Sequence, residues 1–295
     1  MQLCVRHTTR YAYPAAVRDS YNELRLMPVS DNNQTCRTFE LDIEPKARIF
    51  SYELPSGTVH HFNIRAPHNA LTIRAYSEVT THIQDPFVGL QMHEDDSEFY
   101  AREGVRQRFY DYLSPTPLVP LTPETDRIAQ LARRQAGGPA TATFLIALIR
   151  LLHRVLEYAP GSTRVDTPIQ QVLQQKRGVC QDFAHLMLAI CRRQRIPSRY
   201  VSGYIYTGSG TKESGWSEEK HLIGGDAMHA WVECLLPDGA WHGFDPTNNL
   251  VVNGHYIKVH HGRDYYDVSP IRGVYHGPAD HQMETSVRVW LEEES

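Results

Sequence analysis

Of the five cysteines in this chain of 295 residues, Cys180 is the one whose surroundings suit nucleophilic chemistry. It follows the turn Arg177-Gly178-Val179 and opens a stretch in which Phe183, Leu186, Met187 and Ile190 recur at helical spacing. The spacing predicts a helix that begins at Cys180, and the free N–H groups and dipole of a helix N-terminus favour negative charge. In such a place, beside an imidazolium, a cysteine pKa falls from about 8.5 into a range of about 3.5 to 7.5. Downstream, DAMHAWVECLLPDGAWHGFDPTNN reads as a hairpin, with Leu236-Pro237-Asp238-Gly239 as its turn and Gly239 as the left-handed residue. Pairing Leu236 with Ala240 and counting outward sets Trp231 opposite Asp245 and His229 opposite Thr247. His229 and Asp245 then share a face as diagonal neighbours, about 7 Å apart at the backbone. A slip of one residue would separate them. Cysteine, histidine and aspartate in this relation make a nucleophile, a base and the carboxylate that orients the base. Cys191 and Cys234 read as core residues. His185, five residues past Cys180 and so about 140 degrees round the helix, reads as structural, as does Asp226.

These side chains need a scaffold. From Gln2 to Thr81 short alternating runs (LCVRHTTRYAY, YNELRLMPV, TFELDIEP, HHFNIRAP, ALTIRAYSEV) are separated by Pro, Asn, Asp and Gly. Period-two burial with this punctuation predicts an all-β sandwich over residues 1–90. A connector over 91–121 is rich in Pro and charge, and its Glu94-Asp95-Asp96 reads as a solvated turn. A second unit over 122–295 opens with Thr122-Pro123-Glu124 as a helix start, and a core helix runs within Ala140–Tyr158. A third helix starts at Thr167-Pro168 and stops on glycine near Lys176-Arg177-Gly178. The Cys180 helix follows, then strands near 199–206, 227–236 and 241–244. Helices followed by antiparallel strands make this unit α+β.

The segments GVCQDFAHLMLAICRRQRIPSRYVSGY, DAMHAWVE and WHGFDPTNN resemble the three core motifs of the bacterial transglutaminase-like superfamily, in the order Cys, His, Asp. The resemblance is strong over residues 140–265, and the β-rich first third is similar to the N-terminal domain that accompanies this core in bacterial members. It implies a papain-like, transglutaminase-like catalytic core with Cys180, His229 and Asp245 as nucleophile, base and orienting carboxylate. It also implies an oxyanion hole made by the nucleophile's own N–H and an upstream side-chain donor, for which Tyr158 and Gln181 are candidates. The Gly-, Ser- and charge-rich run from Thr207 to Gly225 precedes the His229 strand, and Trp216 within it offers an apolar contact for substrate.

The expected chemistry is attack by Cys180 on a carboxamide or peptide carbonyl, giving a thioester that water hydrolyses or an amine intercepts. The expected partner is a protein or peptide substrate, with a homo-oligomer left open. Two rivals are a non-catalytic binding module on the same fold, and acyl transfer from an arylamine or coenzyme donor. A net charge of -4, from 30 basic and 34 acidic residues, gives no reason to expect nucleic acid or an acidic membrane. No cofactor is expected, because CxxC, HExxH and EF-hand spacings are absent, and the adjacent pairs His60-His61 and His260-His261 point to opposite strand faces. An odd cysteine count and no apolar run in Met1–Tyr13 lead to the expectation of reduced thiols in a cytoplasm.

Overall fold

The computed structural model describes residues 1–90, 94–208, 222–278 and 280–292. The chain opens with β1 (Gln2–Leu24), β2 (Gln34–Glu44), β3 (Ile49–Leu54), β4 (Gly57–Ile64) and β5 (His68–Thr81). Helical segments follow: α1 (Ser97–Ala101), α2 (Glu103–Arg108), a 3-10 turn at Tyr110–Tyr112, α3 (Glu124–Gln135) and α4 (Thr141–Val155). Then come β6 (Glu157–Tyr158), α5 (Ile169–Gln175), β7 (Arg177–Gly178), α6 (Cys180–Arg193), β8 (Ser198–Ile205), β9 (His229–Leu235), β10 (Trp241–Asp245), β11 (Leu250–Val251) and β12 (Tyr256–Gly262). The last elements are α7 (Tyr265–Val268), β13 (Ile271–His276) and β14 (Gln282–Leu291).

β1 is long enough to serve two sheets. Its first half pairs with β5 and β14, its second half with β4 and β13, and a register shift between Ala12 and Val17 marks the bend. The two sheets close over Val17, Leu24, Ile43, Phe62, Leu71 and Ile73, all almost wholly buried. Each such side chain stabilises the fold by about 1.5–3 kcal/mol relative to exposure. Two of the short runs expected as separate strands are thus one strand. The pairing of β13 and β14 with β1 gives Ile271–His276 and Gln282–Leu291 to the first unit, although the sequence places everything after residue 121 in the second unit. Partners more than 250 residues apart leave no local signal of their pairing.

In the second unit α4 and α6 pack against a five-stranded antiparallel sheet ordered β11-β10-β9-β8-β12, and α3 packs on those two helices. Its core joins Phe144, Leu148 and Leu152 of α4 to Phe183, Met187 and Ile190 of α6 and to Val232, Cys234 and Phe244 of the sheet. Alternation along β9 buries Ala230, Val232 and Cys234 on this face, while Trp231 packs on the other with Val201 and Tyr256. Two local expectations are corrected. α5 stops on Lys176, which takes the left-handed conformation itself (φ 53°). Asp96 is no solvated turn: its carboxylate accepts from Thr141 N (2.9 Å) and Thr141 Oγ1 (2.7 Å) and caps α4, whose own N-cap, Ala140, has no acceptor side chain.

The first unit backs the sheet and fixes it. Leu3, Val5, Val79 and Val287 pack against Tyr204, Tyr206, Ile257 and Val259. Gln34 accepts from Lys258 N (2.7 Å) and donates to Lys258 O (2.8 Å), so one side chain from β2 continues the ladder of β12. Buried Glu233 lies between Arg199 (2.6 Å) and Lys258 (3.0 Å), and Lys258 also meets Asp31 (2.6 Å).

Candidate active site

The hairpin that carries His229 and Asp245 has the expected register. Leu235 to Val232 pair with Trp241 to Phe244, and Leu236 N donates to Ala240 O across a turn in which Gly239 has φ 80°. Continued one step past the last pair, Val232 with Phe244, the same count sets Trp231 opposite Asp245. His229 and Asp245 therefore lie on one face, and the His229 Nε2–Asp245 Oδ2 distance is 2.7 Å with both side chains fully buried.

Asp245 is held on every side. Its Oδ1 accepts from Thr247 N (2.8 Å) and Asn248 N (3.2 Å), and its Oδ2 accepts from Asn248 Nδ2 (2.8 Å) and the Tyr256 hydroxyl (2.8 Å) as well as from His229. Burial alone would raise the Asp245 pKa, but the imidazole and these donors hold it below the usual carboxylate value. The turn that supplies the two backbone donors is itself tied to α4, where His153 Nδ1 bonds Thr247 O at 2.7 Å. For His229, burial pushes the pKa down, but Asp245 and then Cys180 outweigh it and carry it up to about 10. The site therefore favours the protonated imidazole. Its Nε2 is taken by Asp245, which leaves Nδ1 as the ring nitrogen open to Cys180.

Cys180 is the first residue of α6, as the spacing predicts. The first main-chain bonds of that helix run from Asp182 and Phe183 to Val179 O, so the Cys180 N–H lies at its open end. Asp182 organises the entry: its Oδ2 accepts from Val179 N (2.7 Å) and Thr163 Oγ1 (2.6 Å). Gly178 is needed there because a Cβ on it would meet Asp182 Oδ2 at 2.7 Å. Half-buried Cys180 interacts with the His229 ring strongly enough to raise its basicity, so helix start and hairpin converge.

The two oxyanion candidates separate. Tyr158 lies on β6 beside β7, opposite Gly178, and its phenol pKa is raised by burial and then by Cys180 and Asp226. It shares the local field of Cys180. Gln181 instead donates its amide to Val165 O at 2.9 Å, toward the loop before α5. Trp216 lies outside the described residues. His185 accepts from Tyr265 N (3.2 Å), and burial and then Arg192 push its pKa down to about 3, so it stays neutral as a packing residue. The sequence reading missed Asn248 and Tyr256. Asn248 stood inside the quoted FDPTNN segment, whereas Tyr256 reaches Asp245 from β12, a strand that pairs with β8 and carries no local mark of that contact.

Two family models match this arrangement. Residues 3–80 match the bacterial transglutaminase-like N-terminal region, and residues 129–246 match the transglutaminase-like superfamily core. An uncharacterized protein of Mycobacterium leprae is 35% identical over 286 residues, covering 97% of both chains. The chain belongs to the bacterial transglutaminase-like family. Another uncharacterized relative, from Mycobacterium tuberculosis, is 31% identical over 92% of this chain and 86% of its own length. Over 39% of this chain the sequence is 32% identical to a protein-glutamine gamma-glutamyltransferase of Pseudomonas aeruginosa, of which the match covers 17%. In three dimensions the whole chain superposes on 92% of a candidate cysteine protease from Cytophaga hutchinsonii, with TM-score 0.69 and 19% identity, a likeness of fold.

Proposed function

We propose that this protein is a cysteine-dependent enzyme that transfers or hydrolyses the acyl group of a carboxamide or peptide bond through a thioester on Cys180. The observation that carries this reading is the fully buried His229–Asp245 pair, 2.7 Å apart, whose imidazole is also raised in basicity by the thiol at the start of α6. A binding module has no need of a buried imidazolium beside a half-exposed thiol.

In the proposed cycle the Cys180 sulfur attacks the carbonyl carbon. The oxyanion is met by the Cys180 N–H and by the Tyr158 hydroxyl, the better placed of the two side-chain candidates. The carbon–nitrogen bond then breaks, and His229 Nδ1 gives its proton to the departing ammonia or amine. Water or a second amine loses a proton to the same nitrogen as it attacks the thioester, which frees Cys180. Asp245 stays ionised and holds the ring with Nδ1 toward the sulfur. The substrate is a protein or peptide that offers a glutamine-like side chain or a scissile peptide bond.

The test is a burst experiment with p-nitrophenyl acetate, a generic acyl donor. The wild-type chain should release about one equivalent of nitrophenolate quickly and carry one acetyl group on Cys180 in the quenched intact mass. Hydroxylamine should accelerate turnover by intercepting the thioester. A burst no larger than that of Cys180→Ala would overturn the reading.

A further inference from the structure

The described residues just before β9 bring a turn against the catalytic pair. Asn248, which donates from Nδ2 to Asp245 Oδ2, also accepts from Ile223 N through Oδ1 (2.8 Å) and donates to Ile223 O (3.1 Å). One side-chain amide thus closes both backbone groups of Ile223 and the catalytic carboxylate together. Next to Ile223 is Gly224, with φ 105°, and a Cβ built on it would lie 2.4 Å from His229 Nδ1 and 3.0 Å from Cγ. The glycine backbone therefore walls Nδ1, the ring nitrogen that Asp245 does not hold.

The same turn is fixed on three further sides. Leu222 packs against the cluster of Val201, Trp231 and Tyr256. Gly225 abuts Thr207, where a Cβ would meet Cγ2 at 2.7 Å. Asp226 O accepts from Val287 N of β14 at 3.2 Å, so the first sheet also holds it.

We propose that Asn248 is a positioning residue that locks the Ile223–Gly224 turn to Asp245, and that the locked Gly224 backbone limits the size of the group that leaves or enters beside His229 Nδ1. This rests on the reading of Cys180 as nucleophile and His229 as its base. In that reaction the proton passes from Nδ1 to the nitrogen of the leaving amine as the carbon–nitrogen bond breaks, and back from the incoming nucleophile as the thioester opens. Both groups must stand at the nitrogen that Gly224 walls. A fixed wall without a side chain admits ammonia, water or a slender primary amine and crowds a branched one. The selection is steric and separate from the basicity of the ring.

The test needs no known substrate. Alkylation of Cys180 in the full chain is timed by intact mass and peptide mapping with iodoacetamide and with its bulkier N-benzyl derivative, in wild type, Asn248→Ala and Gly224→Ala. Freeing the turn in Asn248→Ala should reduce the preference for the small reagent, and adding a methyl in Gly224→Ala should increase it, each by about fivefold or more. Opposite shifts are the signature, since general loosening or misfolding moves both variants the same way. Circular dichroism and denaturant midpoints show whether each variant is folded, and Asn248→Asp, which keeps the acceptor for Ile223 N but loses both donors, should resemble Asn248→Ala. An unchanged ratio in folded Asn248→Ala and Asn248→Asp, or shifts of the same sign in Asn248→Ala and Gly224→Ala, would overturn the proposal. Fast, His229-dependent labelling of wild-type Cys180 would then still support the catalytic reading, and its absence would refute that reading instead.

Discussion

Replacing Asp245 by Asn removes the charge that holds the imidazolium while keeping the shape of the carboxylate. In the native chain the pKa of His229 rises from the usual value of about 6.5 to about 10, a preference for the protonated ring of roughly 5 kcal/mol shared between Asp245 and Cys180. Without the carboxylate, burial dominates and pushes the ring below its usual value, so at pH 6.5 the imidazole of Asp245→Asn is mainly neutral. A thiol that loses the cation beside it loses the charge that favours its thiolate, so labelling of Cys180 by iodoacetamide at pH 6.5 should slow by roughly 10- to 100-fold. Stability should follow with a defined sign. Because the folded pKa of His229 lies above the unfolded one, its contribution is fully present below about pH 6.5 and is lost as pH rises through about 10. Wild type should lose up to about 5 kcal/mol from this group between pH 6 and pH 10, and Asp245→Asn much less. The assay pairs labelling rates with urea unfolding at both pH values. Wild-type labelling at pH 6.5 in the variant, with the same loss of stability at pH 10, would refute the reasoning.

Three further outcomes are expected. Tyr158→Phe should lower turnover of an acyl donor by about 100-fold if the phenol meets the oxyanion, while iodoacetamide labelling of Cys180 stays at the wild-type rate; equal loss of both would remove Tyr158 from that role. Glu233→Gln leaves half-buried Arg199 and buried Lys258 without their shared counter-ion, with only Asp31 left beside Lys258, and should destabilise the fold at pH 7 by about 3 kcal/mol in urea titrations. Burial raises the Glu233 pKa, but Lys258 and Arg199 bring it to about 2, so this deficit should be full above about pH 4.5 and shrink as pH falls toward 2. Gly203→Ala would set a Cβ 2.1 Å from Ile257 O and 2.6 Å from Trp231 Cη2 behind the site, and should lower stability by about 3 kcal/mol, read from the denaturant midpoint.

The candidate triad was legible because each of its parts has a local cause. A tight turn with glycine at a left-handed position sets the hairpin register, and register alone decides whether His229 and Asp245 share a face. The start of α6 follows from apolar periodicity. What stayed hidden depends on partners far along the chain. Residues 282–291 join β1 in an antiparallel ladder, Tyr256 meets Asp245 from a strand three places across the sheet, and Asp96 caps a helix that begins 45 residues later. Lys176 was hidden for another reason: a left-handed stop on a side chain other than glycine or asparagine runs against local preference, and here it leads directly into the short β6–β7 pairing.

The central claim is that Cys180 and His229 form an activated nucleophile, and limited iodoacetamide labelling followed by intact mass tests it most directly across pH 5 to 8. Wild type should label first at Cys180 and keep a fast rate well below pH 8, and His229→Ala should reduce that rate to the level of an ordinary thiol. If Cys180 instead reacts no faster than Cys4, Cys36, Cys191 or Cys234, with or without His229, the account of this site as a catalytic centre is contradicted.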